Sequence, residues 1–242
     1  MENDKITIFL DFDGVLYDTL KEAYILCRRV CRGVDFFEPI EEDVYTKFYK
    51  FKYLVYNSWQ FYYLMEVILA SETLTDNQFI VEYNKKLVNR DFDREKIFEE
   101  EFLKNRKILI EKYFDYVDKL ETKFKFFDDI MKLKDNKKYD ILVVSRKNKF
   151  AIKRKFFKNN IDDIKIIGKE DLDSVVNKSE FIERYMQTNN IQKAFFVDDN
   201  SHNLKPCKNI PNLTCLLAGW GNIGINEQGY TQEEVIEKIL LA

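Results

Sequence analysis

Short apolar segments alternate with helical patterns along much of this chain, and this alternation constrains its fold more than any other feature. Five segments rich in β-branched residues have the composition of strands that are buried on both faces of a parallel sheet. They are residues 5–12, 139–145, 164–168, 193–198 and 213–218. Strand–helix alternation implies right-handed crossovers that place helices against the sheet. We therefore predict an α/β fold with a doubly wound parallel sheet.

Helix-start signals lie between the later strands. Asn177 is followed three residues later by Glu180, and Thr231 by Glu234, which is the spacing of a capping box. Apolar residues then recur at helical intervals in both segments, and a further helical pattern covers residues 150–158. Together with the strands, these helices predict a Rossmann-like core.

A segment with a different residue pattern separates the first predicted strand from the other four. Residues 19–125 contain no convincing strand, and aromatic residues crowd the stretch 48–63. Apolar residues recur there at spacings of three and four, as they do in packed helices. We predict a discontinuous α/β domain, residues 1–18 and 126–242, with an all-helical domain inserted at 19–125.

Composition argues against several classes of partner. The 242 residues include 39 basic and 42 acidic side chains, so the net charge of −3 provides no general attraction for nucleic acid or an anionic membrane. Met1–Lys5 is polar and leads directly into the first strand, without the apolar region of a secretory signal. The four cysteines are too sparse for a disulfide framework. We expect a soluble, cytoplasmic protein, and its oligomeric state is left open.

Carboxylates stand where the first strand ends. Asp11 and Asp13 are separated by Phe12 and followed by Gly14. Ligands of open α/β sheets bind beyond the carboxyl ends of the strands, and strand residues two apart share one face. Two carboxylates so close repel each other unless a cation joins them, and Mg²⁺ takes oxygen ligands. Such a carboxylate can attack phosphorus, although aspartates also occur in simple turns.

The ends of two other predicted strands favour the chemical interpretation. One strand ends in Ser145 and Arg146, which offer a hydroxyl and backbone N–H groups to an anion, while Asp198 and Asp199 end another strand. Lys178 lies in the first turn of a predicted helix, where a cation opposes the helix dipole by a few tenths of a kcal/mol. That placement is explained if an anion lies opposite.

These residues match, in order, the four motifs of the haloacid-dehalogenase superfamily. The first motif is Asp11–Val15, and the later ones are Ser145, Lys178 and the pair Asp198–Asp199. The chain resembles a phosphatase of that superfamily over essentially its whole length. The inserted helices are similar to the superfamily's first type of helical cap (C1), though only in position and helical character.

The resemblance implies a role for each matched residue. Asp11 is the nucleophile that becomes an aspartyl phosphate, and Asp13 protonates the leaving oxygen and then activates water. Ser145 and Lys178 bind the phosphoryl group. The phosphate-binding set is completed by Arg146 and Gly14. The implied Mg²⁺ ligands are Asp11, Asp13 through its backbone carbonyl, Asp198, and Asp199 either directly or through water.

Some neighbouring residues have competing interpretations. Lys169 could fill the role of Lys178, but it follows a predicted strand directly, and the proline that usually follows the motif lysine is absent here. Arg146 and Lys147 follow the motif serine and could contact substrate, but the run 147–158 is more typical of a solvated helix face. His202, the single histidine, is interpreted as local structure, and Asn203 as ordering the loop behind the metal.

The predicted function is a Mg²⁺-dependent phosphohydrolase acting on a small phosphorylated metabolite, such as a sugar or polyol phosphate. A phosphomutase of the same superfamily is the nearest alternative. Asp13 argues against dehalogenation and phosphonate cleavage, which do not use an acid at that position. A signalling module with a phosphorylatable aspartate and a catalytically inactive binding protein are the alternatives from other classes.

Overall fold

A computed structural model describes residues 5–70, 73–172 and 174–242 of the chain. Residues 1–4, 71–72 and 173, which the sequence assigns to the two predicted domains, lie outside the described residues. The chain divides into two compact units, one formed by Met1–Asp18 with Thr122–Ala242 and the other by Thr19–Glu121. We refer to them as the α/β unit and the helical unit.

The elements follow the predicted order. The strands are β1 (Ile6–Leu10), β2 (Tyr17–Asp18), β3 (Thr122–Lys123), β4 (Tyr139–Val144), β5 (Lys165–Ile167), β6 (Ala194–Asp198) and β7 (Leu213–Leu217). The helices are α1 (Leu20–Arg32), α2 (Glu42–Phe51) with a 3₁₀ turn (Lys52–Leu54), α3 (Gln60–Ala70), α4 (Asp76–Val88), α5 (Phe92–Lys112), α6 (Phe114–Leu120), α7 (Lys125–Met131), α8 (Lys149–Lys158), α9 (Lys169–Leu172), α10 (Lys178–Thr188), α11 (Ser201–Cys207) and α12 (Gln232–Leu240).

A five-stranded parallel sheet forms the centre of the α/β unit. Its strand order is β5-β4-β1-β6-β7, so the first strand lies between the two strands that end in the other candidate site residues. Leu10 pairs with Val143 on β4 and with Val197 on β6. This register aligns the carboxyl ends of β1, β4 and β6 at one edge of the sheet. The predicted doubly wound α/β fold is confirmed.

Apolar layers cover both faces of the sheet because successive strand residues point to opposite sides. Ile8 and Leu10 of β1 pack with residues of α7, α8 and α12, whereas Phe9 packs with residues of α9, α10 and α11. Every residue of β1 is buried. This two-sided burial explains why the strand sequence is apolar at every position but Thr7 rather than alternating.

The second segment of the α/β unit begins at Thr122, before the predicted start at residue 126. Thr122 and Lys123 pair antiparallel with Asp18 and Tyr17, which ties the returning chain to the end of the first segment. The two short strands each span two residues, too few for a period-two pattern to be visible in the sequence.

The helical unit has its own core, in which aromatic residues from the stretch 48–63 take part. Phe48, Phe61 and Phe102 are buried and stack in sequence, with ring centroids 5.5 and 5.7 Å apart. The longest helix, α5, has 21 residues and carries many charged side chains. Within the described ranges, no helix combines the length and the hydrophobicity that a membrane crossing requires.

The predicted helix caps are present with one difference. Thr231 and Glu234 form both halves of a capping box at α12. The Asn177 side chain accepts a hydrogen bond from the Glu180 backbone N–H, as predicted, but the Glu180 carboxylate accepts one from the backbone of Val176 instead of Asn177. Asn177 therefore caps α10, and the carboxylate of Glu180 secures the preceding loop.

Replacing Phe102 with alanine tests the aromatic core of the helical unit. Removing this fully buried ring leaves a cavity, and we expect the free energy of unfolding to fall by about 3–5 kcal/mol. The matched control is Phe92→Ala on the same helix, where the ring is 68% exposed and the expected loss is at most about 1 kcal/mol. Chemical denaturation measures both, and equal losses would contradict the assignment of Phe102 to the core.

Candidate functional site

Backbone pairing brings the predicted site residues to one edge of the sheet. The Asp11 backbone N–H donates to the carbonyl of Val197 on β6, so Asp11 extends β1 by one residue. The Ser145 N–H donates in the same way to Ile167 on β5, and Asp198 is the last residue of β6. Parallel strands end at a common edge, and the three side chains are therefore neighbours across the sheet.

Three carboxylates cluster at this edge. One oxygen each of Asp11, Asp198 and Asp199 lies within 4.8 Å of the other two, and all three residues are buried. Buried anions at such distances repel unless a cation compensates them. The donor set consists of carboxylate oxygens, which suits a hard divalent cation such as Mg²⁺. Among the described residues, the Asp13 carboxylate is not a member of this cluster, and the predicted contact of the Asp13 backbone carbonyl with the metal stays a prediction.

Lys178 supplies a positive charge to the cluster. Its Nζ lies 2.8 Å from Asp11 Oδ2 and 2.8 Å from Asp198 Oδ2, and its side chain is 3% exposed. Burial alone would lower the pKa of this ammonium, but the two carboxylates outweigh burial and raise it. Lys178 is therefore a permanent cation between the ends of β1 and β6.

The surroundings of Asp11 favour either a proton or a cation on its carboxylate. Its pKa is raised from 3.8 to about 7: burial is the largest cause, Lys178 works in the opposite direction, and Asp198 contributes to the increase. The Phe12 backbone N–H donates to Asp11 Oδ1 at 2.7 Å and fixes the carboxylate. Phe12 itself is buried in the apolar layer on one face of the sheet, against Tyr17.

Backbone and amide donors orient the other two carboxylates. Asp198 Oδ1 accepts from the Asn200 N–H at 2.8 Å, and both Asp198 oxygens accept from Asn203 Nδ2 at 3.1 and 3.0 Å. Asp199 Oδ2 accepts from the Asn222 N–H at 2.8 Å. Asn203 contacts Asp198 directly, in agreement with the predicted role of ordering this loop. The contribution of Asn222 has no signal in the sequence because it follows a glycine turn remote from the motifs.

Two glycines allow the close packing around Asp199. Gly14 has φ +79°, and a Cβ there would lie 1.9 Å from Asp199 Oδ2. A Cβ on Gly221 would lie 2.4 Å from both Asp199 Cβ and the Gly14 carbonyl oxygen. The first glycine is thus required by its conformation as well as by space. The predicted phosphate-binding role of Gly14 remains a prediction.

Asp13 forms an ion pair that the sequence analysis did not anticipate. Lys147 Nζ lies 3.2 Å from Asp13 Oδ1, and the Lys147 side chain is 2% exposed. Lys147 was assigned to a solvated helix face, and this assignment is wrong. Helix α8 begins at Lys149 behind the N-cap Asn148, so Lys147 belongs to the turn that follows β4. The available signal was its place two residues after Ser145, at the same strand end.

The other predicted site residues occupy varied positions. Ser145 is buried, and its Oγ accepts from the Lys147 N–H at 3.3 Å. Arg146 is exposed, and its Nη2 donates to the Val176 carbonyl in the loop before α10. Lys169, the competitor of Lys178, begins α9 and is half-buried. His202 is exposed over much of its surface, and the partial burial of its ring, together with the Lys205 charge, lowers its pKa.

Comparisons with known proteins agree with this architecture. No protein-family model and no curated protein matches the sequence. Solved structures do match: a haloacid dehalogenase-like hydrolase from Streptococcus pneumoniae is 16% identical, with a TM-score of 0.52 over 98% of this chain and 99% of that one. A protein named a predicted phosphatase from Clostridium acetobutylicum is 17% identical, with a TM-score of 0.61 over 98% and 99%.

A third similar structure is named a predicted phosphoglycolate phosphatase, from Haemophilus somnus. It is 12% identical, with a TM-score of 0.59 over 99% of both chains. At such identities the likeness establishes the fold. The chain has the fold of haloacid dehalogenase-like hydrolases, which confirms the resemblance drawn from the motifs at the level of the fold.

Replacing Gly14 with alanine tests the packing around Asp199. The new methyl group must displace the Asp199 carboxylate, so we expect a larger loss of stability than the strain of about 1–2 kcal/mol from a left-handed backbone alone. Gly33→Ala is the matched control, because Gly33 has φ +68° but nothing within 4 Å of the added Cβ. Denaturation curves of both variants give the comparison, and a loss for Gly14→Ala no greater than that of the control would contradict the described packing.

The raised pKa of Asp11 predicts a pH dependence of stability in the absence of divalent cations. Between pH 3.8 and about 7 the folded protein retains a proton that the unfolded chain has lost, so this group lowers the free energy of unfolding as the pH rises through that window. Denaturation in a chelator at about pH 5 and about pH 8, compared between wild type and Asp11→Asn, isolates the contribution. An identical pH dependence in both proteins would refute it.

Proposed function

We propose that this protein is a Mg²⁺-dependent phosphohydrolase that removes phosphate from a small phosphorylated metabolite through an aspartyl phosphate on Asp11. The observation that carries the proposal is the buried Asp11 carboxylate, held 2.8 Å from Lys178 and clustered with Asp198 and Asp199. Two further acids beside a buried carboxylate do not stabilise the fold, because the three charges repel one another. Transfer of the phosphoryl group of a dianionic phosphate monoester gives this arrangement a purpose, since the reaction demands positioning and charge neutralisation.

Asp11 supplies the nucleophile in the proposed reaction. One carboxylate oxygen attacks phosphorus, the bond from phosphorus to the ester oxygen breaks, and an acyl phosphate forms on Asp11. Asp13 donates a proton to the departing oxygen. In the second step Asp13 takes a proton from water, which attacks phosphorus and releases phosphate and the free Asp11 carboxylate.

The cationic and polar groups bind the phosphoryl oxygens. Lys178 provides a buried ammonium beside Asp11, and the Ser145 hydroxyl lies at the neighbouring strand end. Arg146 remains a candidate phosphate ligand in the proposal, although its guanidinium contacts the Val176 carbonyl here. Gly14 stays in the proposed phosphate-binding set, although the space that its missing side chain leaves is taken by the Asp199 carboxylate.

The acid cluster fits a bound Mg²⁺ in charge and in ligand type. Asp11, Asp198 and Asp199 would hold it through carboxylate oxygens, and Asp13 would contribute its backbone carbonyl while its side chain handles protons. When bound, the ion neutralises charge on the phosphoryl oxygens and on the three carboxylates. Asn200, Asn203 and Asn222 keep Asp198 and Asp199 oriented for that role.

The similar structures support a hydrolase and a small phosphorylated substrate. Two of them are named phosphatases, and one of these is named for phosphoglycolate. A fold shared at 12–17% identity hosts many substrates, so these names support the reaction class more than any one compound. A sugar or polyol phosphate remains the proposed substrate class.

A panel of phosphorylated metabolites assayed for phosphate release with Mg²⁺ tests the function. Asp11→Asn should lower turnover by at least about a thousandfold, because no group replaces the nucleophile. Asp140→Asn, an exposed carboxylate paired with Lys5, is the control and should retain wild-type rates. Chelation of divalent cations should abolish release, and added Mg²⁺ should restore it.

Two outcomes would count against the proposal. If no monoester turns over faster in wild type than in Asp11→Asn, the protein is not this phosphohydrolase. If phosphate moves between two positions of one sugar without being released, the protein is a mutase that uses the same nucleophile.

A further inference from the structure

Two different lysines hold the two carboxylates of the first motif. Asp11 contacts Lys178, which also contacts Asp198 at the end of β6. Asp13 contacts Lys147, which follows β4 on the other side of β1. The acids are only two residues apart in the sequence, yet one is paired with a lysine that follows β4 and the other with a lysine that begins α10 and also contacts the end of β6.

Lys147 is fixed in place along its whole length. Its backbone N–H donates to Ser145 Oγ, and its carbonyl accepts from the Lys169 N–H at 3.0 Å. Its Nζ lies 5.6 Å from the centroid of the Phe12 ring, in addition to the contact with Asp13. A lysine anchored at both ends of its backbone presents its ammonium at a defined point, whereas an exposed lysine samples many rotamers.

Burial of the Lys147 ammonium carries a desolvation cost, which favours a functional role for this ion pair. An ammonium that is removed from water loses its hydration, and a partner must compensate for that loss. Lysines in exposed ion pairs keep their hydration and need no such compensation. The Asp13 side chain is 38% exposed, so its carboxylate is accessible from solvent, whereas the Lys147 side chain that contacts it is buried. The pair thus has an inner, fixed cation and an outer, accessible acid.

We propose that Lys147 is a positioning residue that holds the Asp13 carboxyl group on the Ser145 side of the site, apart from the cluster of Asp11, Asp198 and Asp199. In this position Asp13 serves proton transfer and does not become an additional side-chain ligand of the metal site. The inference rests on the proposed phosphohydrolase function and deepens it. Lys147 keeps its own protons throughout: the proton that reaches the leaving oxygen comes from Asp13 and returns to Asp13 from water.

The consequence is specific to the leaving group. Phenolate is a stronger base than p-nitrophenolate, so its departure depends more on protonation by a general acid. A misplaced Asp13 therefore slows the hydrolysis of phenyl phosphate more than that of p-nitrophenyl phosphate. A general loss of structure slows both substrates equally. The ratio of the two kcat/KM values is also independent of how much of a preparation is folded.

The experiment compares Lys147→Met, Lys147→Arg, Asp13→Asn and the double variant Asp13→Asn with Lys147→Met on these two substrates. We expect Lys147→Met to lower kcat for phenyl phosphate by about ten- to a hundredfold, as for a misplaced catalytic group, with a smaller loss for p-nitrophenyl phosphate. Lys147→Arg should recover part of the loss. The double variant should be no slower than Asp13→Asn, because the proposed effect of Lys147 on the reaction passes through Asp13.

Lys149→Met is the matched control. Lys149 lies two residues further along and forms an ion pair with Asp171 at 3.0 Å, so its replacement removes a lysine–carboxylate contact of the same kind away from Asp13. It should leave the ratio of the two substrates unchanged. A crystal structure of Lys147→Met gives a readout without activity, and we expect the Asp13 carboxylate to leave its present position.

The inference is overturned if Lys147→Met slows both substrates equally, if the losses of the two single variants add in the double variant, or if Asp13 stays in place in the crystal. Failure of the proposed function has a different signature. In that case wild type hydrolyses neither aryl phosphate faster than Asp11→Asn, and the inference falls with it.

Discussion

The contact of Lys178 with Asp11 and Asp198 is the interaction on which the rest of the site depends. It joins the ends of two neighbouring strands through one buried ammonium, with 2.8 Å to each carboxylate. Without that charge, three buried acids within 4.8 Å of one another would repel. Lys178 begins a helix, where a cation is disfavoured by the dipole, and the two carboxylates more than offset this small cost.

The parallel sheet makes this contact possible. Because β1 lies between β4 and β6 in register, groups that are far apart in the chain reach the same edge. The edge is asymmetric: the β6 side carries the acid cluster, and the β4 side carries Ser145 and Lys147. Asp11 is held toward the first and Asp13 toward the second, so two chemically identical side chains acquire different surroundings.

The residues that sequence reasoning missed share a physical cause. Lys147 lies in a basic run whose pattern is that of a solvated helix, and only the start of α8 at Lys149 separates it from that helix. Asn222 acts through its backbone N–H, which every residue but proline possesses, so its identity carries no signal. The pairing of Thr122 and Lys123 with β2 involves too few residues for periodicity to show. In each case the decisive partner is distant in the chain.

The sequence by itself determined the elements and their chemistry. Short apolar runs that alternate with helical patterns predicted strands buried on two faces, and polar residues at three of their ends marked the edge where ligands of such sheets bind. The tertiary structure determined which charged side chains form ion pairs. Asp11 and Asp13 are alike in the sequence, and their separate pairing with Lys178 and Lys147 depends on distances across the sheet, which only the packed fold sets.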